Sequence, residues 1–284
     1  MTPPDLDLGR GSLDFVALGD SFTEGVGDPY PAEETGPRVG YRGWADRFAE
    51  HLSAHVPGLR YANLAVRCKL MRQIVTDQLP RAAELAPDLA TLSAGGNDLL
   101  RPGADPDQLA RILERAVHRL QASGARVVLF TGVNFSSGFM RLRIGTFARY
   151  YLNIRAIADR NGCHLVDQWS MATLTDPRAW DADRLHMSPE GHRRLALKVC
   201  QTLGVPAEGS GDDAWPPAPA LDRRAARRAD AQWAREHLVP WVGRRLTGRS
   251  SGDGATAKRP VLEPIVPPPA ERAGAGGDPS GHAP

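Results

Sequence analysis

Short apolar runs alternate with longer stretches of helical spacing along most of the chain. Five runs, Asp14–Gly19, Arg60–Val66, Leu89–Ala94, Arg126–Val133 and His164–Gln168, are each too short for a helix. Several are bounded by Gly, Asn or Asp, so they predict buried strands. Between them, Trp44, Phe48 and Leu52 recur every four residues. Leu109, Ile112, Leu113, Ala116, Val117 and Leu120 make one apolar face that stops at Ser123-Gly124. Phe147, Tyr151, Ile154 and Ile157 make another that stops at Asn161-Gly162. Ser188 followed by Pro189 opens a further helix with Leu195, Val199 and Leu203, since Ser suits the N-cap and Pro the first helical position. Strand alternates with helix throughout. The expected fold is therefore α/β, a three-layer α/β/α sandwich around a five-stranded parallel sheet.

The pattern changes after Leu203. The expected division is one α/β domain over 1–204, a Pro/Gly-rich linker over 205–220, an Arg-rich helical segment over 221–247 and a disordered tail over 248–284. The tail holds seven Gly and seven Pro, a composition that buries no core. Pro240 is expected to bend or break the Arg-rich helix. Among 284 residues, 35 Lys and Arg nearly balance 33 Asp and Glu. No global field attracts nucleic acid, and no nucleic-acid partner is expected. Locally, residues 221–249 carry eight Arg against three acidic residues. Such a segment reads either as an anionic-partner footprint or as a helix docked through Trp233, Leu238, Trp241 and Val242; docking suits the tryptophans better. No apolar run nears the roughly 20 residues of a membrane span. No signal-peptide pattern opens the chain. Cys68, Cys163 and Cys200 form neither a disulfide set nor a zinc spacing, so a cytoplasmic location is expected.

Three short segments carry candidate chemistry. Gly19-Asp20-Ser21 follows the first strand, at the carboxyl edge where open α/β sheets bind ligands. Ser21 reads there as a nucleophile or as a helix cap; no phosphate-loop Lys accompanies it. Gly95-Gly96-Asn97-Asp98 follows the third strand, where an Asn amide can donate to a developing oxyanion or simply make a turn. In Asp183-Arg184-Leu185-His186 an Asp stands three residues before a His, close enough to fix its tautomer or to make a surface pair.

Together, and in this order, these segments resemble the SGNH hydrolase family of GDSL esterases and lipases over about residues 14–204. Gly40-Tyr41-Arg42-Gly43-Trp44 resembles its actinobacterial branch. The resemblance implies a flavodoxin-like fold and hydrolysis of a small-molecule acyl ester without metal or cofactor. Ser21 would be the nucleophile, His186 the base and Asp183 its orienting partner. The oxyanion hole would be the Ser21 N–H, the Asn97 side chain and a further backbone N–H. That further donor is a Gly in the family's second block. Here the segment is Asn63-Leu64-Ala65-Val66-Arg67-Cys68, and Cys68 stands in the glycine's place. Its N–H survives the exchange, but a positive φ there would be costly. Its thiol would be packed or reactive. Two loops, Val26–Val39 and Asn134–Met140, are expected to shape specificity, with Phe135, Phe139 and Met140 lining an acyl pocket or packing ordinarily. Carbohydrate deacetylation, thioester cleavage and an anionic-partner binding module with a weakened site remain as alternatives. Oligomeric state is left open.

Overall fold

A computed structural model describes residues 3–30, 40–135, 141–218, 222–240, 243 and 251–265. The five apolar runs are β1 (Ser12–Gly19), β2 (Gly58–Asn63), β3 (Leu89–Ser93), β4 (Arg126–Phe130) and β5 (His164–Val166). They pair in parallel, in the order β5-β4-β3-β1-β2. Successive side chains of a strand point to opposite faces, and β1 shows why its run is apolar throughout. Phe15 and Ala17 enter one core, and Val16 and Leu18 the other.

Helices close both cores. On one face lie α1 (Ser21–Glu24) and α2 (Gly43–Ser53), the latter placing Trp44, Phe48 and Leu52 in the first core. On the other, a helix over residues 71–85, α3, is followed by α4 (Gly96–Leu99), α5 (Pro106–Ala122) and α6 (Ile144–Asn161). The α5 stripe is buried as the spacing requires. Gly162 ends α6 in the left-handed conformation. Then α7 (Pro189–Leu203) returns to the α2 face; the Ser188 side chain caps it by accepting from the Gly191 N–H at 3.1 Å.

Two expectations about the C-terminal region need correction. The sheet has six strands, because β6 (Arg259–Pro264) pairs antiparallel with β2. This segment lies inside the expected disordered tail; residues 266–284 lie outside the described residues. An outer strand tolerates Pro260 and Pro264, which a central strand would not. Buried charge anchors it. Lys258 Nζ donates to the carbonyls of Tyr41 and Arg42, each at 2.7 Å, and pairs with the fully buried Asp46 at 2.8 Å. Tyr61 Oη donates to the same carboxylate at 2.9 Å. A buried carboxylate is tolerated only with such partners.

Second, among the described residues the Arg-rich helix is unbroken up to Pro240. The helix α8 begins at Arg223–Trp233 and continues through a π-turn at Ala234–Leu238 to Pro240. The same device precedes Pro80, after a π-turn at Ile74–Gln78 within α3. Proline clashes with the carbonyl one α-turn earlier, and the wider winding moves that carbonyl away. The expected linker lies against the body of the protein. Trp215 donates to the Thr173 carbonyl at 2.9 Å, with the guanidinium of Arg194 4.1 Å from its ring centre. Trp241 and Val242 lie outside the described residues.

Candidate active site

Strand order reverses at β1. The chain moves to β2 on one side and β3 on the other, and the crevice beyond their carboxyl ends is where such sheets bind ligands. Ser21 follows β1 and Asn97 follows β3. In-register pairing, Gly19 with Ser93, places the two turns side by side.

The nucleophile turn is pinned from several directions. Gln78, inside the π-turn, accepts from Gly19 N–H at 2.9 Å and donates to Gly19 C=O at 2.8 Å. Asp20 caps α1 by accepting from Phe22 N–H at 3.2 Å. Asn63 Nδ2 donates to the Thr23 carbonyl at 2.8 Å. Buried Glu24 accepts from Arg67 N–H at 2.6 Å and pairs with the Arg67 guanidinium. Ser21 itself is buried. Gln78, Glu24 and Asn63 are thus supporting residues that the sequence did not single out as site residues. The local signal for Gln78 is a polar side chain standing on the apolar stripe of Met71, Ile74, Leu79 and Ala82 ahead of Pro80.

Asn97 Nδ2 donates to Asp20 Oδ2 and to the Lys69 carbonyl, both at 3.2 Å. Gly95 makes this turn possible. Its φ is +99°, and a Cβ would lie 2.6 Å from Tyr150 Oη. Burial pushes the Asp20 carboxyl up to about 6, against the Phe22 N–H and the charge of His186, which lower it, while Asp98 adds to the rise.

Cys68 adopts φ +63°. The chain keeps the left-handed turn without the glycine, at roughly 1–2 kcal/mol. Its Sγ lies 3.2 Å from Ser251 Oγ. Cys163 and Cys200 are buried, and burial pushes their thiols up to about 11 and about 12.

The Asp183–His186 segment is a tight turn. Asp183 Oδ1 accepts from the backbone N–H groups of Leu185 and His186, each at 2.9 Å, and Oδ2 lies 2.5 Å from His186 Nδ1. Burial would raise the Asp183 carboxyl, but the His186 ring and these N–H groups outweigh it and hold it at about 2. Arg184 occupies φ +55°. Gly27 brings this turn to the nucleophile: a Cβ there would lie 2.1 Å from the Met187 carbonyl, so only glycine permits the approach. His192 reinforces it, with Nδ1 accepting from Trp44 N–H at 3.2 Å and Nε2 donating to the Val26 carbonyl at 3.1 Å. Burial pushes His192 down to about 4, so it stays neutral. Among the described residues the His186 ring is hydrogen-bonded to Asp183 and not to Ser21.

Of the expected pocket residues, Phe135 packs on Trp180, centroids 5.1 Å apart, and Trp180 lies 6.3 Å from Phe22 of the nucleophile helix. Phe139, Met140 and residues 31–39 lie outside the described residues. No helix among the described residues is long and apolar enough to cross a membrane.

Comparison with known proteins bears on this arrangement. The structure is similar to Axe2, an acetylxylan esterase from Geobacillus stearothermophilus, with 21% identity and a TM-score of 0.57 over 68% of this chain and 94% of that one. It is equally similar to LAE5, described as an alpha/beta hydrolase enzyme from the metagenome of Lake Arreo, Spain. There the identity is 22% and the TM-score 0.57, over 70% of this chain and 99% of that one. No curated protein sequence matches. The model of the GDSL-like Lipase/Acylhydrolase family matches residues 17–194. That is more than half of the chain, and it takes in the Ser21, Asn97 and Asp183–His186 turns: the chain belongs to the GDSL-like lipase/acylhydrolase family of serine ester hydrolases.

Proposed function

We propose that Ser21, His186 and Asp183 cleave a small carboxylic ester through an acyl-enzyme. The observation that carries this reading is the Asp183–His186 bond of 2.5 Å. It sits on a turn that Gly27 and His192 hold against the nucleophile helix. With Nδ1–H donated to Asp183, Nε2 is left as the proton acceptor. Substrate binding then completes the contact with Ser21, as catalytic hydrogen bonds commonly tighten only in the complex. Ser21 Oγ attacks the carbonyl carbon, and Nε2 takes its proton. The tetrahedral oxyanion is met by the N–H groups of Ser21 and Cys68 and by Asn97 Nδ2. Collapse breaks the ester C–O bond, and the alcohol leaves with the proton from Nε2. Water repeats the sequence and releases the acid.

Asn97 is already committed to Asp20 and Lys69, so it arrives oriented, and it shares a hydrogen with the oxyanion only as charge develops there. Three solved Axe2 variants are described as catalytic mutants. They replace a Ser, an Asp and a His, the last two spaced as Asp183 and His186 are. An acetyl group on a sugar is the second reading. The half-buried Phe22–Trp180–Phe135 cluster offers flat aromatic surface beside the nucleophile, and Axe2 is described as an acetylxylan esterase. Three free cysteines fit a reducing compartment, and a cytoplasmic enzyme without a nucleic-acid partner is part of the proposal. Wild type, Ser21→Ala and His186→Ala assayed on p-nitrophenyl esters of increasing acyl length, and on an acetylated-xylan panel, test it. Activity in Ser21→Ala equal to wild type on every substrate would falsify the nucleophile assignment.

A further inference from the structure

The base turn has a partner from outside the family-matched region. Trp233, on α8, donates from Nε1 to the main-chain carbonyl of Asp183 at 2.9 Å. The Arg184 guanidinium lies over the same indole, 5.0 Å from its centre. Arg184 Nη1 then pairs with Asp230, one turn earlier on α8, at 2.7 Å. So α8 grips the two residues whose backbone sets the direction of the His186 ring. Arg184 needs a grip, because its φ of +55° is one that side chains rarely hold unless their surroundings impose it. Further along the same segment, Ser251 reaches Cys68, Lys258 enters the Asp46 site, and β6 joins the sheet. Asp230, Trp233 and Ser251 thus touch the base turn and the second block, the two parts of the catalytic edge whose backbones depart from ordinary φ without being glycine.

We propose that Trp233 and Asp230 are positioning residues: α8 holds Arg184 in its left-handed turn and thereby keeps His186 aimed at the nucleophile. The proposal rests on the ester-hydrolase reading above. It assigns the Arg-rich segment a role in the reaction and no anionic partner. Neither residue touches substrate, so their loss lowers kcat and leaves KM alone. Misplacing a catalytic group by about 1 Å can cost up to about 10²-fold.

The test uses full-length protein with Trp233→Ala, Trp233→Phe and Asp230→Asn. Each variant is assayed for kcat and KM, for the rate at which a fluorophosphonate probe labels Ser21, and for Tm. Trp233→Ala is expected to lower kcat and labelling rate together, by about tenfold, with KM within about twofold of wild type. Trp233→Phe keeps the ring under Arg184 and loses only the donor, so its effect is smaller, about threefold. The deciding variant adds Arg184→Gly to Trp233→Ala. Glycine takes positive φ unaided, so most of the lost kcat returns, although no contact with α8 has been restored. A kcat in Trp233→Ala within twofold of wild type would overturn the proposal. So would a loss that Arg184→Gly leaves unchanged. Failure of the ester-hydrolase reading looks different: wild-type protein would then neither label at Ser21 nor turn over any ester.

Discussion

The two halves of the catalytic edge are held in opposite ways. The nucleophile and oxyanion turns, at residues 19–24, 63–68 and 95–97, hang from the ends of central strands. Buried side chains bond to main chain there, as in Gln78 to Gly19 and Asn63 to Thr23. The base turn, at residues 183–186, comes after the last parallel strand and has no strand of its own. Beyond His192 and Gly27, its contacts with α8 are partly exposed, and one is an ion pair between Arg184 and Asp230 with side chains 45% and 64% exposed. Buried neutral bonds fix a geometry cheaply once water is excluded, whereas exposed ion pairs are weak. The first half is therefore a rigid template, and the second is tunable from a distance.

Four substitutions or conditions probe that contrast. The largest effect belongs to the carboxylate–imidazole bond within the base turn. Asp183→Asn leaves Nδ1 facing an amide and permits the wrong tautomer, so kcat should fall by about 10⁴-fold with the fold intact by circular dichroism. A loss under tenfold would mean that the turn, and not the carboxylate, orients His186. On the template side, Asn97→Ala removes one oxyanion donor, and kcat should fall about 10²–10³-fold while KM changes little.

Acid should act on stability through His192, which joins the two halves, while Asp20, pushed up to about 6 by burial, works in the opposite sense over the same range. Its folded-state pKa lies at about 4, below the ordinary value of 6.5. The unfolded chain thus takes up a proton first, and stability fully present above about 6.5 is lost as pH falls toward 4, on the order of 3 kcal/mol. Urea denaturation of wild type and His192→Gln at pH 7.5 and pH 4.5 checks this. A gap between the two proteins that does not shrink at pH 4.5 would remove His192 from the account. The smallest effect is Cys68→Gly. Relief of roughly 1–2 kcal/mol at the left-handed turn outweighs the roughly 0.5–1 kcal/mol entropic cost of glycine. Tm should rise slightly, and a fall would show that the Cys68–Ser251 contact is worth more than the strain.

The same contrast governs how much was legible in the sequence. Apolar runs bounded by Gly, Asn or Asp identify β1 to β5, because central parallel strands are buried on both faces. Turns hanging from those strands are legible with them, which is why Ser21 and Asn97 stand out. The Asp183–His186 pair is visible by spacing alone. Its supports are not, because Trp233 and Asp230 are distant in sequence and carry no local pattern. Trp233 announces only that it needs cover. β6 was hidden for a different reason: Arg259-Pro260-Val261-Leu262-Glu263-Pro264 is too rich in proline to read as a strand. What makes it one is Asp46, a buried charge two hundred residues earlier whose partners no periodicity reveals. At Cys68 the backbone takes the positive φ although the residue is not glycine.

The pairing of β2 with β6 also has a consequence in time. A strand at the margin of a sheet offers unpaired N–H and C=O groups to any other extended chain. β2 is complete at Asn63, but the strand that covers it ends at Pro264. At ribosomal speeds of about 5–20 residues per second, the nascent chain carries β2 uncovered for roughly ten to forty seconds. Once β6 is in place, the strand at the margin carries two prolines, and neither has an N–H to offer the next chain.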